Sequence, residues 1–415
     1  MTGLRIGIFH QSVGRYGGAE RLCLDVAQGI LNRGHEVELF WNEWFLPVQS
    51  LMFRYPQLIP HTRLVPWKLH NLRELERTAE ACDAFVVMYH VNPRLGWLLT
   101  RRLKHRVPLI WYAGEPNRGL WERWITDAER SHDMKALFCN TVGTIYGSLA
   151  GSLVSAPPFY WLSTGLLRMV DYSYVRGFDH VIAQSHCVAE LLRKIYKIRH
   201  PTVIHPGVDP NRFAAINTEN NKYETLRRIL GTKYFLSVGA LEKYKNHDVV
   251  IRAFKVAVSQ TGRRDFRLII LGTGKGGQHR HLLDLASSDG LPNVEVLDWD
   301  PTDLVGVLYG SCTAVIHTAL WEPFGLTPIE GALFGKPSIV SRTGGVAETV
   351  IDRQTGILVN PHDISSISGA VQDLMQSESL CRKMGKNARA HVLTNFTLSR
   401  TVEDLLRFVS TLPGG

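Results

Sequence analysis

The chain has 415 residues, 45% of them hydrophobic and 20% charged, with 19 prolines and 36 glycines. That composition excludes collagen-like and disordered classes, and the length exceeds what one hydrophobic core supports, so two α/β domains are expected. The net charge of +9 divides evenly at residue 180, as 20 − 16 = +4 and 27 − 22 = +5, and such a spread suits small anions, lipid headgroups or nucleic acid alike.

Arg5-Ile-Gly-Ile-Phe-His10 reads as a buried first strand. No charged-then-apolar leader precedes it, which predicts a cytoplasmic chain. A glycine-bearing turn, Gly14 to Gly18, leads into Ala19 to Leu31, with apolar residues at the helical positions 22, 26, 30 and 31. Gly34 closes that helix, and Val37 to Trp41 reads as the next strand. A strand–turn–helix–strand unit of this kind implies a doubly wound parallel sheet. Further strands are expected at Ala84 to Met88, Pro108 to Tyr112, His180 to Ala183 and Thr202 to Ile204.

The polar stretch Asn211 to Thr232 reads as a linker, after which the pattern restarts. Strands are expected at Tyr234 to Val238, Phe266 to Leu271, Val294 to Leu297, Thr313 to His317 and Ser338 to Val340, with a helix at Asp248 to Gln260. Gly272-Thr-Gly-Lys-Gly-Gly277 follows a strand but fails the G-x-G-x-x-G spacing and lacks Gly-Lys-Ser/Thr, so it reads as a turn. The cysteines, Cys23, Cys82, Cys139, Cys187, Cys312 and Cys381, form no C-x-x-C pair, which makes zinc or disulfide frameworks unexpected.

Ala136 to Leu167 holds no Asp, Glu, Lys or Arg. Its hydroxyl, glycine and Pro157-Pro158 content argues against a bilayer span, which needs about 20 apolar residues. An interfacial hairpin or acceptor-binding flap and an ordinary buried helix pair both remain open. Basic residues upstream, Arg101 to Arg106, Arg118, Arg123 and Arg130, suit either an anionic lipid surface or a solvated face.

The densest signal is Trp321-Glu-Pro-Phe-Gly-Leu-Thr-Pro-Ile-Glu-Gly-Ala-Leu-Phe-Gly-Lys-Pro337. Glu322 falls on a loop after a strand, and Glu330 in a helix that begins near Leu326. Open α/β sheets bind ligands at the carboxyl ends of their strands, where two carboxylates accept from vicinal hydroxyls. Backbone amides of Phe324, Gly325 and Leu326 at the helix start suit a pyrophosphate.

This segment resembles the Glu-x7-Glu motif of the retaining glycosyltransferases of family 4, which have the GT-B fold. The resemblance extends through Gly17-Gly-Ala-Glu-Arg21, Asp179 to Ser185, His205-Pro-Gly-Val-Asp209, Ser237 to Leu241 with Lys245-Asn246, Gly344 to Glu348 and Thr355 to Val359, the last two as donor-side loops. The opening and Lys245-Asn246-His247 are most similar to mannosyltransferases of lipid-linked oligosaccharide assembly. The fold implied is α/β, two Rossmann-like domains facing across a cleft: an acceptor-side domain, 1–207 plus a C-terminal helix at about 393–415, and a nucleotide-sugar domain, 208–392.

The implied reaction moves a hexose from a nucleotide diphosphate sugar to a hydroxyl of a lipid-linked or other saccharide acceptor. No protein-bound metal, no cofactor beyond the donor and no nucleic acid are implied. Lys245 would stabilise the leaving diphosphate, and Glu322 would hold the transferred sugar; these two are the catalytic candidates. Gly17 and Gly18 would let backbone approach the phosphates, Phe324, Gly325 and Leu326 would border them, and Glu330 would accept from the ribose. Glu115, His90 and Arg118 are substrate-side candidates.

Two departures bear on activity. The family's His near the reaction centre is Gly114 here, and the Arg that joins Lys245 on the phosphates is Ala240. Lys243, Arg118 and Arg342 are candidates to replace that Arg. The two losses support the alternative of a catalytically weak donor-binding subunit that partners an active transferase.

Overall fold

Parallel strands buried on both faces read as unbroken apolar runs. β4 (Ala84–Met88) and β5 (Leu109–Ala113) are of this kind, buried at every residue. They lie in a sheet with β1 (Arg5–Val13), β2 (Glu36–Trp44), β3 (Thr62–Leu64), β6 (His180–Ala183) and β7 (Thr202–Val203). All neighbours pair parallel, in the order β3-β2-β1-β4-β5-β6-β7. The structure is a computed structural model that describes residues 3–13, 17–44, 55–64, 72–89, 93–117, 120–121, 157–213, 223–274, 277–288, 293–298 and 305–413.

A second parallel sheet comprises β8 (Lys233–Val238), β9 (Phe266–Gly272), β10 (Val294–Asp298), β11 (Ala314–His317), β12 (Ser338–Ser341) and β13 (Gly356–Val359). Its order is β10-β9-β8-β11-β12-β13. Both sheets therefore wind outward in two directions from their first strand, and each has a switch point, between β1 and β4 or between β8 and β11. A doubly wound sheet takes its ligand there, because loops leaving the strands on either side diverge and open a crevice.

The chain divides into two units, residues 1–205 with 398–415, and residues 206–397. The C-terminal helix Leu398–Ser410 returns to the first unit, where Val402, Leu405, Leu406 and Val409 join one core with Leu22, Val26 and Ile30 of helix Gly18–Leu31. The approach is close: a Cβ at Gly29 would stand 2.7 Å from Val402 Cγ2. Arg33 fastens the same helix, its Nη2 donating to Ser399 Oγ at 2.6 Å and pairing with Glu403 Oε1 at 3.2 Å. The returning segment starts later than the 393 expected, because helix Glu378–Asn395 buries Cys381, Met384, Ala388 and Val392 in cores of the second unit.

Other expectations need correction. Inside the expected linker 211–232 stands a helix, Tyr223–Leu230, whose Ile229 is buried against Tyr234 and Leu236 of β8. Gly356–Val359, expected as a donor-side loop, is strand β13, paired with β12. The 3-10 helix Pro56–His61 and the short β3 carry little apolar pattern and are absent from the sequence reading.

Of the charge-free segment 136–167, residues 136–156 lie outside the described residues, and 157–167 open the helix Pro157–Val175. Among the described residues no helix is long and apolar enough to cross a membrane.

Truncating Leu405, 1% exposed, to Ala should lower stability by about 2–5 kcal/mol, read from urea unfolding. A loss under about 1 kcal/mol would mean the returning helix contributes little to that core.

Candidate active site

The loop after β8 is packed by glycine. At Gly272 a Cβ would lie 1.7 Å from Gly239 O, and at Gly274 it would lie 2.6 Å from Leu241 Cβ. Gly239 N and Leu241 N donate to Leu271 O and Thr273 O, both at 3.0 Å. Gly272 and Gly274 thus seat the neighbouring loop, a structural duty that explains these two glycines, while a Cβ at Gly277 would meet nothing and Lys275 and Gly276 lie outside the described residues.

That loop continues through the 3-10 turn Lys243–Lys245 to Asn246, whose φ of 64° is left-handed, a conformation Asn tolerates. The Asn246 amide is 3% exposed and donates to Thr318 O at 3.1 Å and Pro361 O at 2.8 Å. His247 opens the helix His247–Thr261 and spans two groups, with Nδ1 3.1 Å from Ser237 Oγ and Nε2 3.2 Å from Ala240 O. A carbonyl only accepts, so Nε2 carries the proton and Nδ1 accepts from the serine hydroxyl. Burial, then the nearby Lys245 charge and His317, push the His247 pKa down to about 3. His247 is a neutral fastener of the loop.

Across the switch point, the loop after β11 carries Glu322. Its main chain is pinned along its length. Thr318 O takes the Asn246 amide, and Ala319 O takes Ser341 Oγ at 2.6 Å. Leu320 N donates to Tyr244 O at 2.9 Å, Leu320 O accepts from Thr343 Oγ1 at 3.2 Å, and Glu322 O accepts from Gly345 N at 2.8 Å. Gly344, at φ 79°, has no room for a Cβ, which would meet Glu322 O at 2.7 Å.

Held this way, Glu322 meets Lys245, with Nζ 2.5 Å from Oε2 and the side chains only 17% and 14% exposed. His317, the last residue of β11, places Nε2 3.4 Å from the same oxygen. Burial alone would raise the Glu322 pKa, but the Lys245 charge and the His317 ring nitrogen outweigh it and hold the carboxyl well below its usual range.

Gly325, at φ 92°, is the N-cap of helix Leu326–Leu333, and a Cβ there would lie 2.8 Å from Val346 Cγ2. Phe324 is buried against Phe396, with ring centroids 5.4 Å apart. Thr327 Oγ1 lies 3.5 Å from Val238 O, so the helix start stands over the carboxyl end of β8. Glu330 is 4% exposed, and its Oε2 accepts from the Tyr309 hydroxyl at 2.9 Å. Ala240 is half-buried at the position of the missing Arg. Arg342 and Lys243 are exposed, with Arg342 Nη2 3.4 Å from Leu358 O.

In the first unit, Gly17 is the N-cap of helix Gly18–Leu31, and its N–H donates to Glu20 Oε2 at 3.2 Å. Glu115 is half-buried on the loop after β5, while His90 and Arg118 lie outside the described residues. Gly114 is buried, and a Cβ there would lie 2.3 Å from Tyr89 Cδ1. Tyr89 holds a left-handed φ of 63°, rare for a bulky residue, and its carbonyl accepts from Trp111 Nε1 at 2.7 Å. The Tyr89 ring therefore occupies the ground that a side chain at 114 would need. Sequence reasoning missed Tyr89, His317 and the fastening role of His247.

Within the second unit the structure brings Lys245, Glu322 and the start of helix Leu326–Leu333 to one switch point. It is the layout of a nucleotide-binding Rossmann-like half. The model described as Glycosyltransferase Family 4 matches residues 16–212, and that described as Glycosyl transferases group 1 matches 220–391. The chain belongs to the family 4 glycosyltransferases and has the GT-B fold.

A D-inositol 3-phosphate glycosyltransferase of Corynebacterium diphtheriae is 31% identical over 210 residues, 49% of this chain and 48% of that one. The alpha-1,3/1,6-mannosyltransferase ALG2 of Dictyostelium discoideum is 28% identical over 259 residues, 56% of this chain and 61% of that one. In these matches the chain spans about half to three fifths of the length of its curated relatives. The crystal structure of Anabaena Alr3699/HepE in complex with UDP and glucose matches with a TM-score of 0.69 at 17% identity, over 99% of this chain and 100% of that one. At that identity the likeness is one of fold.

Two expectations follow. The folded state resists protonating His247, whereas an unfolded histidine takes its proton near pH 6.5; stability is therefore full above 6.5 and falls as pH drops toward 3. Between pH 6.5 and 5 the parent should lose about 2 kcal/mol more than His247→Gln in urea titrations, and equal slopes would contradict it. Gly114→His should destabilise by about 1–3 kcal/mol through overpacking, and adding Tyr89→Gly should recover most of the loss. A Gly114→His variant as stable as the parent would contradict the packing.

Proposed function

We propose that the chain moves a hexose, mannose by preference, from a nucleotide diphosphate sugar to a hydroxyl of a lipid-linked or other saccharide acceptor, with retained anomeric configuration. The Lys245–Glu322 pair at the second sheet's switch point carries this reading. A cation and a carboxylate there suit the two ends of a sugar diphosphate. Lys245 meets charge as it grows on the leaving diphosphate, and backbone amides at Gly325 and Leu326 share it. Glu322 accepts from hydroxyls of the transferred sugar, and Glu330, backed by Tyr309, faces the ribose.

With retention, the leaving phosphate oxygen takes the acceptor's proton on the same face, so the protein's contribution is positioning and charge. This reading needs no bound metal or further cofactor. Mannose is favoured by the mannosyltransferase among the relatives. A lipid-linked acceptor places the chain at the cytoplasmic membrane face, with 136–167 as its peripheral contact and Gly17, Gly18, Glu115, His90 and Arg118 as first-unit candidates.

Ala240 and the Tyr89-filled position at Gly114 support a second reading, a donor-binding subunit with weak catalysis. Calorimetry with GDP-mannose, UDP-glucose and UDP-N-acetylglucosamine, paired with a transfer assay, separates the two. One donor should bind, and Glu330→Gln, which keeps an acceptor for Tyr309, should weaken it about 10- to 150-fold. Binding without turnover on any polyprenyl-linked saccharide favours the subunit. Folded protein that binds no donor at millimolar concentration removes both readings.

A further inference from the structure

We propose that His317 is a positioning residue that takes over the Glu322 carboxylate when Lys245 turns to the donor's diphosphate. The inference rests on the donor-site reading above and deepens it. Two groups converge on one oxygen, Glu322 Oε2: Lys245 Nζ at 2.5 Å and His317 Nε2 at 3.4 Å. The lysine alone has hydrogen-bond distance. His317 is 5% exposed, and its Nε2 is buried without a hydrogen-bond partner among the described residues. A buried ring nitrogen left in that state is costly unless another state of the site uses it.

The donor supplies such a state. A diphosphate carries more negative charge than one carboxylate, so Lys245 is drawn to it and its hold on Glu322 weakens. Glu322, mostly buried, would then stand as an uncompensated carboxylate. The pinned main chain at Glu322 prevents the loop from following the lysine. His317 sits at the end of β11, on the sheet itself, and a shift of about half an ångström brings Nε2–H to hydrogen-bond length. The carboxylate stays aimed, with its other oxygen directed to the sugar. His247, the other ring nearby, is committed to Ser237 and Ala240 and cannot serve.

The prediction separates nucleotide from sugar. Calorimetry would compare GDP with GDP-mannose, and UDP with UDP-glucose, on the parent, His317→Leu, His317→Gln, Glu322→Gln and the double variant His317→Leu/Glu322→Gln. His317→Leu should bind the nucleoside diphosphate within about twofold of the parent and the nucleotide sugar about tenfold more weakly. His317→Gln, which keeps a donor at similar reach, should recover most of that loss. The double variant should be no weaker than Glu322→Gln alone.

Equal loss of both ligands in His317→Leu, no loss of either, no rescue by Gln, or additive losses in the double variant would each overturn the proposal while leaving the donor site standing. A His317→Leu chain that does not fold leaves the decision to His317→Gln: the sugar nucleotide bound to within about threefold of the parent supports the proposal, and a loss equal to that of Glu322→Gln overturns it. A parent that binds no nucleotide or nucleotide sugar overturns both this inference and the reading beneath it.

Discussion

The ion pair between Lys245 and Glu322 sets the terms for the second unit. Two opposite charges with side chains below one fifth exposure are tolerable only as partners, because either alone would lose its water without compensation. The partners come from loops 77 residues apart in sequence, one after β8 and one after β11. Each loop must be stiff for the meeting to be reliable. The carbonyls of Thr318, Ala319, Leu320 and Glu322 each accept a bond, and donors come from both sides of the loop. Asn246 and His247 fasten the opposite loop with side chains that are themselves buried.

Glycine makes this density possible. Gly344 and Gly325 hold left-handed backbone and lie against Glu322 and Val346, where any Cβ would collide. Gly272 serves by close approach alone, since a Cβ there would collide with Gly239 O. Charged side chains then reach the switch point on backbone held from several sides, the condition for electrostatic preorganisation. The neutrality of His247 belongs to the same logic: an imidazolium beside Lys245 would add like charge where the site has already one cation to balance.

In the first unit, Gly114 stands where the resemblance implies a histidine, and the Tyr89 ring, carried on a left-handed backbone, occupies the space a side chain there would need. Strain of that order persists only where surrounding structure enforces it, here through the Trp111 indole on its carbonyl and its own amide on Tyr112 O. The carboxyl ends of β4 and β5 are thus closely packed around the Tyr89 ring.

The amino-acid sequence by itself determined the two doubly wound sheets. Strands such as β4, β5 and β9 are apolar runs because both their faces are covered, and that pattern is local. It determined the Glu322-to-Glu330 segment as well, since glycine, helix start and carboxylates lie within nine residues of one another. Helix Tyr223–Leu230 escaped because its polar composition resembles a linker, and the burial of its Ile229 against β8 is a tertiary contact. What tertiary structure alone decided is which groups meet: His317 beside Glu322, Glu330 on Tyr309, and Tyr89 over Gly114. None has a periodicity or spacing of its own. Tyr89 meets Gly114 because sheet order sets the ends of β4 and β5 side by side. Glu330 meets Tyr309 because helices Leu326–Leu333 and Val305–Ser311 pack together, and His317 meets Glu322 because the loop after β11 folds back on the strand end; residue spacing along the chain does not record these neighbourhoods.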